Sequence, residues 1–481
     1  MPGWTMDDDL PAKLAAFVGK GYVIAPAGYG KTHLIALAVK ASSQRQLILT
    51  HTYAGVNAIK KKMRALSVPA SRYQIDTIAS WALRLCLCFP KTSKWDKEYP
   101  SGKEWVRLYE AATALLARPF IERLIKSSYA GFYVDEYQDC SSQQHILVEG
   151  LAAKLPCRLL GDPMQAIFDF ADQPVDWNQH VYPHYQLLGK LEKPWRWHSA
   201  GAIELGNWLD AARKRLRAGE KISIAAPLPQ GVKRISVDLA DFTAAGRLNF
   251  FFPFLNHEEA VIAIHSGNQK SKNKTHKLAQ ALGGRFSSIE EVEGKDLFSF
   301  IKKLNAAQTS KQKLCLVIDF AKKCCNAVDG ILSAATKRGE EAKVTKATKY
   351  PGLVGLANAY LTDPSSANLL RFMGAIQSNP HTSTYRRDML NRLMKILRTH
   401  EENCQLSLLE SAHLYQRDFR HSGRPIRHNK LIGTTLLVKG LEYDHAIVLE
   451  AESMSPKELY VALTRGAKSV TIVTLHQTIP A

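Results

Sequence analysis

The chain has 481 residues, 46% of them hydrophobic and 22% charged, a globular composition that excludes a disordered or fibrous protein. Lysine and arginine number 64 against 44 acidic residues, and the net charge of +20 is spread along the chain, as suits a polyanion track built into the fold. The eight cysteines lack paired CxxC spacing, and no apolar run reaches the ~18–20 residues of a spanning helix, so reduced thiols, a cytoplasmic location and no membrane contact are expected.

After an acidic start (Asp7, Asp8, Asp9), residues 14–18 read as a short amphipathic helix and residues 22–25 as a buried parallel strand. The turn Pro26-Ala27-Gly28-Tyr29-Gly30 follows, and Lys31-Thr32 opens an apolar-periodic helix with Leu34, Ile35, Leu37 and Ala38. Strand, glycine loop and helix in this order form a phosphate-binding unit over Ala25 to Thr32, with Ala25 where the general pattern has glycine. Glycines let backbone N–H groups curl around phosphate oxygens, and the helix N-terminus adds its positive end. Lys31 is the cation for the β- and γ-phosphates of a nucleotide, and the Thr32 hydroxyl is a ligand for Mg2+.

Residues 46–50 form a second strand, followed by a helix over 56–66 that exposes Lys60, Lys61 and Lys62. Asp76-Thr77 ends another strand and runs into a helix with Trp81, Leu83 and Leu85, and residues 90–128 read as a helical insertion. A strand over 130–134 ends in Asp135-Glu136-Tyr137-Gln138-Asp139, and one over 157–160 ends in Gly161-Asp162. Acidic residues at strand ends are the layout of a doubly wound parallel sheet with its ligand at the carboxyl edge. There Asp135 can hold magnesium, Glu136 can orient or deprotonate an attacking water, and Gln165 can sense the γ-phosphate.

A second alternating region starts at Leu187, with a helix to about residue 216 and strands near 235–237 and 260–265. The basic stretch 267–277 reads as an exposed loop and residues 290–420 as mostly helical. Strands return at 431–437, 445–449 and 470–475, with a helix over 456–465. The expected class is α/β, with two doubly wound parallel-sheet lobes, each carrying a mostly helical insertion. The first lobe takes residues 1–89 and 129–189 around an insertion at 90–128. The second takes 190–289 and 421–481 around an insertion at 290–420.

The stretch from Ala25 to Thr32, Asp135 to Asp139 and Gly161 to Gln165 resemble motifs I, II and III of the UvrD/Rep/PcrA-type superfamily 1 helicases. Val438-Lys439-Gly440-Leu441-Glu442-Tyr443 resembles motif V, and Leu459-Tyr460-Val461-Ala462-Leu463-Thr464-Arg465 resembles motif VI. The resemblance implies RecA-like lobes with ATP and Mg2+ in the cleft between them. Arg196 and Arg465 would neutralise the transferring phosphoryl group, Trp195 would stack on the base, and Gly440 and Glu442 would reach the ribose and γ-phosphate. It also implies a single-strand track through Thr50, His51 and Thr52, with Thr77, Phe168, Phe170 and Thr434 completing the set.

The chain departs from that pattern at several points. No glutamine lies between Met1 and Lys31, where the family reads adenine, so the choice between ATP and another nucleotide stays open. Ala79, Ala171 and Leu436 stand where two histidines and an arginine of the DNA-contacting set are usual. The implied activity is an ATP-dependent 3′–5′ translocase or helicase on single-stranded or tailed DNA. The alternative rests on a resemblance to the UvrD-like component of Gabija-type antiphage systems: a DNA-sensing ATPase that acts through a nuclease partner and unwinds little.

Overall fold

The strands around the glycine loop are short and apolar on both faces, the pattern of a parallel sheet covered on both sides by helices. The computed structural model describes residues 9–480 except 99, 168–173, 240–245, 257, 268, 404 and 423–427. Its first sheet contains β1 (Lys20–Ile24), β2 (Gln46–Thr50), β3 (Tyr73–Thr77), β4 (Gly131–Val134), β5 (Cys157–Gly161) and β6 (Gln186–Lys190). All its pairings are parallel, in the order β3-β2-β4-β5-β1-β6. Leu187 therefore does not open the second region. It lies on the last strand of the first sheet, where the bare Cα of Gly21 leaves room for Leu188.

The second sheet contains β7 (Val232–Ile235), β8 (Val261–His265), β9 (Ser287–Ser288), β10 (Lys430–Thr434), β11 (Tyr443–Leu449) and β12 (Gly466–Val473). It too is parallel, in the order β9-β10-β8-β11-β12-β7. The fold is thus α/β with two RecA-like parallel-sheet lobes and helical additions to each.

Local corrections to the sequence reading have physical causes. The basic stretch 267–277 is not a loop, because Gln269–Ala281 is a helix. Thr275, Leu278, Ala279 and Leu282 recur at helical spacing and are buried, while Lys277 between them keeps its charge in solvent. The strand expected over 431–437 stops at Thr434 and gives way to a helical turn, Thr435–Val438. The first helix runs over Leu10–Ala16 with Pro11 in its first turn, earlier than the 14–18 read from apolar spacing.

Alternation along each strand sorts the core into layers. Leu47, Leu49, Phe132, Val134 and Leu159 face one side of the first sheet, with Leu108, Ala112, Leu115, Ile121 and Ile125 of helices Glu104–Leu116 and Pro119–Ser128. The 90–128 segment is therefore part of the first lobe's own core rather than an appended module. Ile48, Tyr133 and Leu160 face the other side, in a layer that continues through Trp197, Leu205, Tyr460 and Leu463 to Ile262, Ile264, Val448 and Ile472 of the second sheet. One apolar layer thus joins the two lobes.

The helices from Lys295–Ala306 to Arg387–Glu402 enclose a separate core around Phe300, Val317, Phe372 and Leu393. It is tied to the second sheet by a buried fork in which Arg386 donates to both oxygens of Glu290, each at 2.7 Å, and to Asp296 at 2.8 Å. Among the described residues no helix is long and apolar enough to cross a membrane. Phe372→Ala should cost about 3–5 kcal/mol and, because its core is separate, bring forward one transition in a urea titration while near-ultraviolet signals of the sheet lobes hold. A single transition shifted as a whole would show that the helical unit has no independent core.

Candidate nucleotide and nucleic-acid site

The residues singled out at strand ends converge on the carboxyl edge of the first sheet. β1 delivers the loop Ala25-Pro26-Ala27-Gly28-Tyr29-Gly30 directly into helix Lys31–Ala41. Gly28 and Gly30 take φ of 77° and 88°, values that glycine adopts without steric cost. Lys31 is 8% exposed, and its Nζ lies 2.5 Å from Glu136 Oε2 and 3.7 Å from Asp135 Oδ1. Burial alone would lower the lysine pKa, but the two carboxylates outweigh it and hold the ammonium charged.

The neighbouring acids are pulled apart by the same surroundings. Burial pushes Asp135 up, whereas Glu136, with Lys31 and Gln138 both donating to it, is held below the usual carboxylate range despite burial. Glu136 also sits in the left-handed region, φ 57° and ψ 40°, a strain of about 1–3 kcal/mol for a side-chain-bearing residue that turns its carboxylate back toward Lys31. Thr32 is half-buried in the first turn of the same helix.

The two arginines of the set come from beyond residue 194. Arg196 donates to the Thr464 carbonyl at 2.6 Å and to the Glu442 carboxylate, while its Nε is enclosed without an acceptor among the described residues. Glu442 is held low chiefly by the Arg196 charge. Arg465, 2% exposed, spends its donors on Val461, Leu441 and Thr464, and burial pushes its pKa down to about 10. The charges of Arg196, Glu442 and Glu136 all act on it, so both arginines stand in one electrostatic neighbourhood with the phosphate-loop acids.

Trp195 is half-buried, with the Lys193 ammonium 3.9 Å from its ring centre. Gly440 is exposed with φ 77°. Gln165 is buried one turn beyond Asp162, and its carbonyl accepts from Lys439.

The threonines assigned to the track end three strands. Thr50 and Thr77 are register partners at the carboxyl ends of β2 and β3, and Thr434 pairs with His265 at the end of β10. All three are buried, Thr77 caps helix Ile78–Cys88 through the Ser80 N–H, and Thr52 caps helix Tyr53–Ala65 through the Gly55 N–H. His51 is half-buried 3.4 Å from Cys140 Sγ, with its pKa pushed down to about 4 by burial and then by Lys439. Phe168 and Phe170 lie outside the described residues.

Side chains that the assigned set leaves out hold the cleft together. Gln138 donates to Glu136 at 2.6 Å and accepts from the Asp162 N–H at 3.0 Å, joining the ends of β4 and β5. Lys439 donates to Asp139, 300 residues away, and burial lowers the lysine while raising Asp139 to about 6. Trp197, 1% exposed, packs against Gly28 and donates to the Gly466 carbonyl at 2.8 Å. Lys439 and Asp139 lie inside two of the quoted motif stretches, which was the signal available. Trp197, and Arg213, which donates to Asp162 at 2.7 Å, carry no sequence signal beyond their composition.

The helix N-terminus after the loop, the buried lysine and the Arg196 Nε are donors of the kind a phosphate anion takes. Thr32 and Asp135 supply hard oxygen ligands of the kind Mg2+ takes.

Comparison with known proteins finds similarity over a limited span. Residues 104–177 match the UvrD/REP helicase N-terminal domain. No curated protein sequence matches the chain. Among solved structures, an Arterivirus nonstructural protein 10 helicase in complex with DNA shares 15% identity, covering 54% of this chain and 50% of that one, with a TM-score of 0.27. The same helicase without DNA shares 14% identity over 56% and 53%, with a TM-score of 0.28. The chain spans about half the length of these viral proteins.

Lys439→Met should leave Asp139 buried without its cation and cost about 3–5 kcal/mol. The double variant Lys439→Met/Asp139→Asn should recover most of that loss. Chemical denaturation of the four-member cycle checks this, and additive losses would show that the two side chains are not coupled.

Proposed function

We propose that this chain is a nucleic-acid-dependent ATP hydrolase, a helicase-type motor whose cleft is completed only when both lobes face it. The observation that carries this reading is the buried Lys31, shared by Asp135 and Glu136 on one side of a cleft whose other side brings Arg196 and Arg465. The UvrD/REP match over 104–177 supports it from an independent direction, since that segment includes the Asp135–Glu136 pair.

The Lys31 ammonium donates to the Glu136 carboxylate at 2.5 Å. A γ-phosphate is a stronger anionic partner, so its arrival draws Lys31 away and releases the Glu136 carboxylate to accept a proton from the attacking water. Thr32 and Asp135 would hold Mg2+, which would supply charge neutralisation. Arg196 offers its unspent Nε and Arg465 its buried charge to the phosphoryl group as it transfers. Gln138 ties Glu136 to Asp162, and Lys439 ties the Gln165 carbonyl to the second lobe, so a change at the phosphates is passed to the lobe contacts.

The strand-end residues Thr50, His51, Thr77 and Thr434 lie on the same carboxyl edges and would line a single-strand track. The direction implied by the family resemblance is 3′ to 5′. A second reading follows from the state of those residues: three of the hydroxyls are buried and Thr52 and Thr77 are spent as helix caps. On that reading the chain hydrolyses ATP on sensing DNA and acts through a nuclease partner, with little strand separation of its own.

Phosphate release with and without a single-stranded oligonucleotide, together with unwinding of a 3′-tailed duplex, separates the two. Lys31→Ala should abolish DNA-stimulated hydrolysis while DNA binding persists. Arg196→Ala should lower kcat by about 10³-fold, the scale of an arginine delivered to a transferring phosphoryl group. Turnover by Lys31→Ala at the wild-type rate would overturn the assignment of the loop.

A further inference from the structure

Three consecutive residues of the phosphate loop are gripped by side chains and backbone that follow residue 195. The Ala27 N–H donates to the Tyr460 hydroxyl at 3.1 Å. The Gly28 carbonyl accepts from the Arg196 N–H at 2.9 Å, and a Cβ at Gly28 would stand 2.9 Å from the Trp197 ring. The Tyr29 hydroxyl donates to Asp210 Oδ1 at 2.9 Å.

Asp210 lies on helix Ile203–Arg217, which enters the chain between the two sheets. Three residues on, Arg213 donates to Asp162 at 2.7 Å, and the Tyr460 hydroxyl is set against the same carboxylate. A polar series therefore runs from Ala27 through Tyr460 and Asp162 to Arg213, on the same helix as the Asp210 that accepts from Tyr29.

Tyr29 is 4% exposed, and a phenylalanine would fill the same space. The hydroxyl adds a directed bond to the packing that holds the ring, and Asp210 keeps a second partner in Lys214, 2.7 Å away, whether or not Tyr29 is bonded. Position 29 is followed by Gly30, φ 88°, and then by Lys31. A displacement of Tyr29 is therefore delivered directly to the lysine that meets the phosphates.

We propose that Tyr29 and Asp210 are a positioning pair that holds the loop in its phosphate-accepting shape while helix Ile203–Arg217 is docked against it, so that nucleotide affinity reports lobe docking. The proposal rests on the reading of this loop as a nucleotide site. Its effect belongs to nucleotide binding and to KM for ATP more than to kcat, since neither side chain faces the reacting phosphoryl group.

The test uses the full chain and calorimetric titration with ADP, alongside steady-state ATP hydrolysis with saturating single-stranded oligonucleotide. Tyr29→Phe and Asp210→Ala should each weaken ADP binding by about tenfold, the scale of one hydrogen bond to a charged acceptor, and raise KM more than they lower kcat. The double variant should be no weaker than either single one, because both remove the same contact. Lys214→Ala, which touches only the outer Asp210 oxygen, should leave ADP affinity unchanged. Unchanged ADP affinity in Tyr29→Phe, or additive losses in the double variant, would overturn the pair. A wild-type chain that binds ADP but releases no phosphate, with Tyr29→Phe still weakened, would instead reject the hydrolase reading and leave the pair standing.

Discussion

A lysine ammonium enclosed at the carboxyl edge of a parallel sheet has to be neutralised, and the rest of the cleft follows from how that is done. Lys31 is placed there as the first residue of the helix that follows the glycine loop, and two adjacent acids at the end of β4 meet it. An isolated buried charge would be prohibitively costly, so the loop and the β4 end are mutually dependent. Glu136 accepts a left-handed backbone to make the contact, which marks the position as one held against local preference.

The same logic extends outward. Asp162 is fully buried and takes the Arg213 guanidinium, and Asp139 takes Lys439 from the far lobe. Each pair brings together segments widely separated in sequence and buries charge that neither segment would bury alone. Apolar contact does the remainder, through a layer that runs from Val23 across Trp197 and Tyr460 to Ile472. The lobes are thus joined by an apolar layer with ionic latches at its polar rim.

The two helical additions differ in kind. The helices between 104 and 128 complete one face of the first sheet, so the strands they cover can be apolar on both sides. The helices beyond 295 enclose a core of their own and meet the second lobe through the Arg386 fork. Similar stretches of lost alternation in the sequence thus correspond to an integral layer in one case and an appended unit in the other. Periodicity reports helix but not what the helix covers.

The sequence by itself determined the parallel-sheet class, the strands ending in Thr50, Asp135 and Gly161, and the loop from Ala25 to Thr32, because each depends on local spacing of apolar, glycine and acidic residues. It also put Asp135 and Glu136 at the point where they meet Lys31. Tertiary structure alone decided that Leu187 lies on the first sheet, that 267–277 is helical, and that Trp197, Arg213 and Lys439 hold the cleft closed. Those outcomes depend on what packs against a segment: Gly21 admitting Leu188, a core receiving Leu278 and Ala279, and a carboxylate waiting 300 residues away for Lys439. Local pattern carries no trace of a partner at that distance, whereas burial of its charge makes the partner obligatory.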